Sequence, residues 1–302
     1  MNPSNPTDCD VSARISRLFV YPVKSCAGIE VQDFLLTDTG PEFDRAWMVV
    51  DARGAFVTQR ERPSLALVHP RLAHGELVLS APGMRELHVA LDRMMPPASV
   101  RVWDDQVPAF DTGNEAAQWF TDFLAASGNP GSGLDHSNYR LVRFDPAYQR
   151  ASSLKWTDGV TALNQFNDGF PILLLSAASH AQLNERLVAA GHSSVGIERF
   201  RPNVVLSGLQ PHEEDLLGVI RVDAGGEQVL LKPVKPCPRC PIPNVDPRTG
   251  RSSPEVGDIL QSYRRDTRLN GAVTFGMNVI MLRGIGATMR VGQYVSADFD
   301  FE

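Results

Sequence analysis

The chain has no hydrophobic run that approaches the ~18 residues of a membrane span. Its longest apolar stretch, PILLL at Pro171–Leu175, suits a buried strand. The first residues, MNPSNPTDCD, are polar and acidic, without the basic start and apolar centre of a signal peptide. Cysteine is scarce: Cys9, Cys26, Cys237 and Cys240 are the four in 302 residues. That excludes a disulfide scaffold and fits a reducing compartment. It also leaves no plant-type [2Fe–2S] set. Excess positive charge is missing too. A formal net charge of −6 argues against a nucleic-acid binder. There is no Walker loop, no G-x-S-x-G and no G-x-G-x-x-G. GIGATM (Gly284 to Met289) precedes a strand rather than a helix, so it is no phosphate cradle. These absences predict a cytoplasmic protein that binds neither membrane nor nucleic acid.

What is present is enough apolar residue, 43%, for one large or two ordinary domains. The first hundred residues predict short strands at 14–23, 46–51, 76–81, 86–91 and 99–103, punctuated by Asp51-Ala-Arg-Gly54 and Ala81-Pro-Gly83. Such spacing suggests an all-β barrel or sandwich. A helix is predicted over 114–127, where Ala117, Phe120 and Leu124 share a face and Asn114 would cap. GNPGSG (Gly128 to Gly133) is the best linker, dividing the chain into 1–130 and 131–302. In the second part PILLL feeds a helix that Ser176 would cap and Gly191 would end. Further strands follow at 203–208, 275–283 and 287–295. The fold class is mixed α/β and β-rich. HEED (His212 to Asp215) reads as a solvated loop.

The chemistry concentrates in KPCPRCPIPNVDPRTG (Lys235 to Gly250). A redox dithiol needs its C-x-x-C to open a helix, and Pro241, Pro243 and Pro247 forbid one. A structural zinc needs two more ligands, and none is spaced for it; His69 and His74 stand far upstream. Two readings then stand beside these: a pair of thiols packed in a loop, and one thiolate on a metal held by a cofactor. A cradle for that cofactor has scattered candidates. These are Lys24-Ser25 after a strand, Arg45 before one, Arg201-Pro-Asn203 at a strand start, and the helix N-terminus at Ser176.

These motifs resemble a family. YPVKSCAG, FDRAWMVVD and FVTQRERPSLALV are similar to the N-terminal β-barrel of MOSC proteins of the amidoxime-reducing-component type. FPILLLSAASHAQLN, RFRPNVVL, CPRCPIPNVDPRTG and FGMNVIML follow in the order of a MOSC β-barrel domain with peripheral helices. The resemblance implies a molybdenum–molybdopterin cofactor with Cys240 as metal ligand. It implies that Lys24, Ser25, Arg45, Ser176, Arg201, Asn203, Arg239 and Asn278 lie at cofactor-contacting positions. Guanidinium groups suit such a pterin phosphate. Pro238 stands where some relatives have serine, and Asn278 where some have tyrosine. Asp246 is a further catalytic candidate, as a proton-handling group, against a plain turn role in N-V-D-P-R-T-G. The implied activity is reduction of small N-hydroxylated compounds with electrons from a donor protein or reductase in trans. The rival reading is a non-catalytic carrier of the cofactor, or of sulfur as a persulfide.

Overall fold

The structure is a computed structural model that describes residues 9–92, 96–127 and 138–301. The proposed linker, Gly128 to Gly133, lies outside the described residues.

Seven strands close into a barrel: β1 (Val11–Val20), β2 (Ile172–Ser176), β3 (Val204–Ser207), β4 (Ile220–Asp223), β5 (Gln228–Pro238), β6 (Ala272–Arg283) and β7 (Tyr294–Ala297). The order round the ring is β2-β3-β1-β7-β4-β5-β6, and β6 pairs back to β2. β2 and β3 are parallel, with Leu174 opposite Val204; Met277 of β6 faces Leu174 on the other side and closes the ring. Alternating residues such as Leu18, Leu174, Val204, Val222, Leu231 and Val279 fill one apolar core. Closure removes the free edges that an open sheet would expose. The barrel is not contiguous in sequence: β1 comes from the first twenty residues and pairs with β3 and β7.

The other lobe holds a four-stranded sheet, ordered Trp47–Val50, Arg140–Phe144, Asp105–Asp111, Pro97–Val102. A three-stranded meander of His69–Ala73, Glu76–Ser80 and Leu87–Ala90 joins it. Helix α1 (Asn114–Ala126) buries Phe120, Phe123 and Leu124 against Trp47, Leu77 and Leu79. Its cap differs from expectation. Gly113 is the N-cap, and the Asn114 side chain accepts from Arg140 instead. A donor from a neighbouring strand thus takes the amide that local sequence assigned to the cap.

Helix α2 (Ala177–Ala189) begins as expected. Ser176 Oγ accepts from the backbone N–H groups of Ala178 and Ser179, and Gly191 follows the end with φ 83°. Leu183 and Leu187 pack with Val256 and Leu260 of α3 (Glu255–Tyr263), a helix the sequence pattern did not reveal.

HEED is not a solvated loop. Residues 213–216 form a short 3-10 turn, and Glu214 is completely buried. Its carboxyl accepts from Ser179 Oγ at 2.6 Å and from the Ser176 N–H at 3.1 Å. A charged sequence was drawn inside because the start of α2 offers it donors. Burial raises the Glu214 carboxyl to about 7, against the lowering pull of Ser179. A raised carboxyl stabilises the fold most below its unfolded value and loses that contribution as pH rises through about 7. Relative to wild type, Glu214→Gln should therefore gain stability as pH rises from 4.5 to about 7, measured by urea midpoints. A difference between the two midpoints that stays constant, or that shifts in favour of wild type as pH rises, would reject the burial account.

Candidate functional site

A cleft opens where the end of β5, the start of β3 and the loops of the smaller lobe meet. Its lining includes Lys24, Ser25, Arg45, Arg201, Asn203, Arg239, Cys240 and Asn278, together with Cys237 and Pro238. Residues up to 254 positions apart in the chain, Lys24 and Asn278, thus share one cavity. Ser176 and Asp246 are not among the lining residues. Ser176 is wholly buried, and its hydroxyl is consumed by the α2 cap. Asp246 accepts from Arg248 N at 2.8 Å in a turn, and its carboxylate lies 3.6 Å from Arg199. The turn role weighed for Asp246 is what the geometry displays.

Sequence reasoning missed several members. Arg60, Arg199, Asn167 and Asp168 also line the cleft. Arg60 sits in FVTQRERPS, a stretch whose similarity was visible but whose individual side chains were not. Asp168 had no signal, since FNDGF looks like an ordinary loop.

The charges decide what the cleft attracts. Among the described residues, Lys24, Arg45, Arg60, Arg199, Arg201 and Arg239 line the cleft with one acidic group, Asp168. In a chain of net charge −6 this is a concentrated positive field. Lys24, Arg45 and Arg239 are each anchored by several partners. Lys24 Nζ donates to Phe166 O at 2.7 Å and Asp168 Oδ1 at 2.6 Å. Burial lowers the Lys24 amine, with Asp168 opposing. Lys24 first, then Arg60 and Arg45, hold the Asp168 carboxyl down at about 2. Arg45 donates to Asn203 Oδ1 and Arg201 O, both at 3.1 Å, and pairs with Asp44. Arg239 Nε and Nη1 donate to the carbonyls of Phe275 and Phe200, each at 2.9 Å. A side chain at Gly276 (φ 75°) would put its Cβ 2.7 Å from Leu174 O and 3.6 Å from Arg239 Nη2. Only glycine lets β6 pass that close.

Arg201 is different. Its backbone is left-handed (φ 58°), and Nη1 donates to the Cys26 carbonyl. Its Nη2 is buried and has no acceptor among the described residues. Burial first, then Arg45, lowers its guanidinium to about 10. A buried donor without a partner is costly. An anionic ligand would relieve both the missing bond and the crowding of cations.

The thiols stand at this same cleft. Both are free, and both are partly exposed. β5 ends at Pro238, so the pair opens no helix: a 3-10 turn, Ile242–Asn244, follows. Arg239 N donates to Val273 O at 2.8 Å and fixes the backbone between the two cysteines. Cys237 lies within β5, and burial raises its thiol, with Arg239 opposing. Among the described residues no three His, Cys, Asp or Glu side chains form a metal-holding group. Asn278 donates to Lys235 O at 3.3 Å and ties β6 to β5 beside the cleft. A soft thiol and a guanidinium with one free donor in one basic cavity fit an anionic cofactor that carries a soft-binding metal.

Comparison with known proteins finds two family matches along the chain. The MOSC N-terminal beta barrel domain matches residues 12–127, and the MOSC domain matches residues 162–296. Mitochondrial amidoxime reducing component 2 of Rattus norvegicus is 34% identical over 263 residues, covering 83% of this chain and 72% of that protein. Mitochondrial amidoxime-reducing component 1 of Homo sapiens is 33% identical over 260 residues, with the same coverage of each. Molybdenum cofactor sulfurase of Danio rerio is 31% identical over 285 residues, which span 88% of this chain but 32% of that protein.

Proposed function

Because the chain belongs to the MOSC family that includes the amidoxime-reducing components, we propose that it is a molybdenum-cofactor-dependent oxidoreductase that reduces N-hydroxylated compounds. Hydroxylamines, amidoximes and N-hydroxylated bases are the substrates in view. The observation that carries the reading is the buried, unpartnered Nη2 of Arg201 in the cleft that also holds Cys240.

When bound, a molybdenum–pterin group supplies the two-electron reducing chemistry that no side chain provides. The chain's part is to hold it. Cys240 would be the thiolate ligand. Arg201 Nη2 would give its free donor to an anionic oxygen, and Lys24, Arg45 and Arg239 would add charge from their anchored positions. Ser25 and Asn278 would shape the wall. The cradle draws on both lobes, so a bound cofactor would also join them and raise the melting temperature. Electrons would come from a donor protein or reductase in trans. Among the described residues no helix is long and apolar enough to cross a membrane.

The test is metal and pterin analysis of the purified chain, followed by reduction of benzamidoxime with reduced viologen. Molybdenum bound near one per chain with turnover is expected, and NADH alone should drive none. The sulfurase relative motivates one rival, a persulfide carrier. Cyanide-releasable sulfur on Cys240 without turnover would select that rival and end the reductase reading.

A further inference from the structure

The cleft mouth carries a feature that anion binding leaves unexplained. Among the described residues Asp168 is the one acid that lines this basic cavity, and 67% of its side chain is exposed. Both of its hydrogen bonds fall on one oxygen. Oδ1 accepts from Lys24 Nζ at 2.6 Å and from Trp103 Nε1 at 3.3 Å. Oδ2 has no partner among the described residues. An anion-binding site gains nothing from a carboxylate with a free oxygen.

Trp103 is a second, independent oddity. It occupies the two-residue turn between Val102 and Asp105, which pair directly, and its φ is 56°. Left-handed backbone at a bulky residue is strained, and glycine is the usual occupant of such a turn. Strain of this kind persists where the surroundings impose it, and it gathers at functional sites. Here the strained turn aims the indole N–H at Asp168. Phe56 meets the indole edge-on with centroids 5.0 Å apart, and the Arg60 guanidinium lies 4.6 Å from its centre. Even so, 43% of Trp103 stays exposed. The result is a rigid apolar shelf beside a free carboxylate oxygen.

We propose that Asp168 and Trp103 form a substrate-selecting subsite, in which Asp168 Oδ2 accepts an N–H of an amidine-like head while Trp103 packs against the planar group attached to it. This rests on the reductase reading given above. It narrows the substrate class to flat molecules whose reducible N–OH stands next to an N–H donor. Amidoximes have that pattern, and their amidine products add a positive charge. Tertiary amine N-oxides have no N–H to offer.

Asp168→Asn keeps the shape and one acceptor but loses the charge. Trp103→Gly removes the shelf and suits the left-handed turn. Loaded enzyme, with activity normalised to molybdenum content, would be assayed with benzamidoxime and with trimethylamine N-oxide. The ratio of kcat/KM for the first to that for the second should fall about tenfold in Asp168→Asn, the range of a charge-assisted hydrogen bond. It should fall about fivefold or more in Trp103→Gly, through lost stacking area. Benzamidine binding by calorimetry should weaken in parallel in both. That measurement needs no turnover, so it decides on this subsite even where the reductase assay is negative. An unchanged ratio with unchanged benzamidine affinity would overturn the proposal. So would a loss of molybdenum that fully accounts for the activity change, which would make Asp168 only the anchor of Lys24.

Discussion

Cys240→Ala is expected to lower benzamidoxime reduction more than about a hundredfold, since loss of a metal's protein ligand should exceed the 10–100-fold cost of disturbing a residue behind it. The backbone that presents Cys240 is rigid. Arg239 is tied to Val273, Phe275 and Phe200, so the thiol's position does not depend on its own contacts. The variant should therefore fold normally, and its loss should be one of chemistry. Cys237→Ala should keep most activity. Cys237 sits within the β5–β6 ladder, and its thiol makes one long contact, 3.8 Å, to the Pro238 carbonyl. Turnover and molybdenum content of both variants are the measurements. Equal losses would reject a single ligand and favour a dithiol.

Asn203→Ala should destabilise the protein by about 3 kcal/mol or more. Asn203 is 1% exposed and joins four partners. Its Oδ1 accepts from Leu173 N and Arg45 Nη1, both at 3.1 Å. Its Nδ2 donates to Asp44 Oδ1 at 2.9 Å and Phe19 O at 3.2 Å. These groups come from β1, from β2 and from the loop before Trp47–Val50, so one amide pins the barrel to the smaller lobe. Alanine would leave buried donors and acceptors unpaired, each at about 1–3 kcal/mol. Typical stability is about 5–15 kcal/mol, so the fraction lost is large. The urea midpoint of the variant is the readout. Asn203→Asp should fare no better, because it loses the donor and sets a second carboxylate against Asp44. A shift below about 1 kcal/mol in the alanine variant would mean that the lobes are held elsewhere.

The two predictions also separate what Asn203 does from what was expected of it. It lines the cleft, but its polar atoms are all spent on the protein. Its contribution to a cofactor would pass through Arg45, whose guanidinium it orients. Arg201, two residues earlier, keeps the free donor. Sequence alone gave these neighbours the same role, because both stand in one motif, RFRPNVVL.

The sequence by itself determined what local chemistry controls. Ser176 caps α2 because a hydroxyl there reaches the first N–H groups of the helix, and Gly191 ends it because its φ is positive. Alternating apolar residues marked most strands, and the order of the motifs marked the family. The prolines after Cys240 ruled out a helix there, and the structure has a 3-10 turn. Only the tertiary structure decided what long-range contacts control. That β1 belongs to the barrel of distant strands follows from its pairing with β3 and β7, which no local pattern encodes. Glu214 is buried because Ser176 and Ser179 offer donors some 35 residues away. Ser176 is absent from the cleft lining, since its hydroxyl caps α2 and its N–H serves Glu214. Asp168 enters the site because Lys24 and Trp103, 144 and 65 residues away, hold it there. Propensity and spacing act over a turn or two of chain. A hydrogen bond between buried groups acts wherever the fold brings them together, and the cleft is made of such bonds.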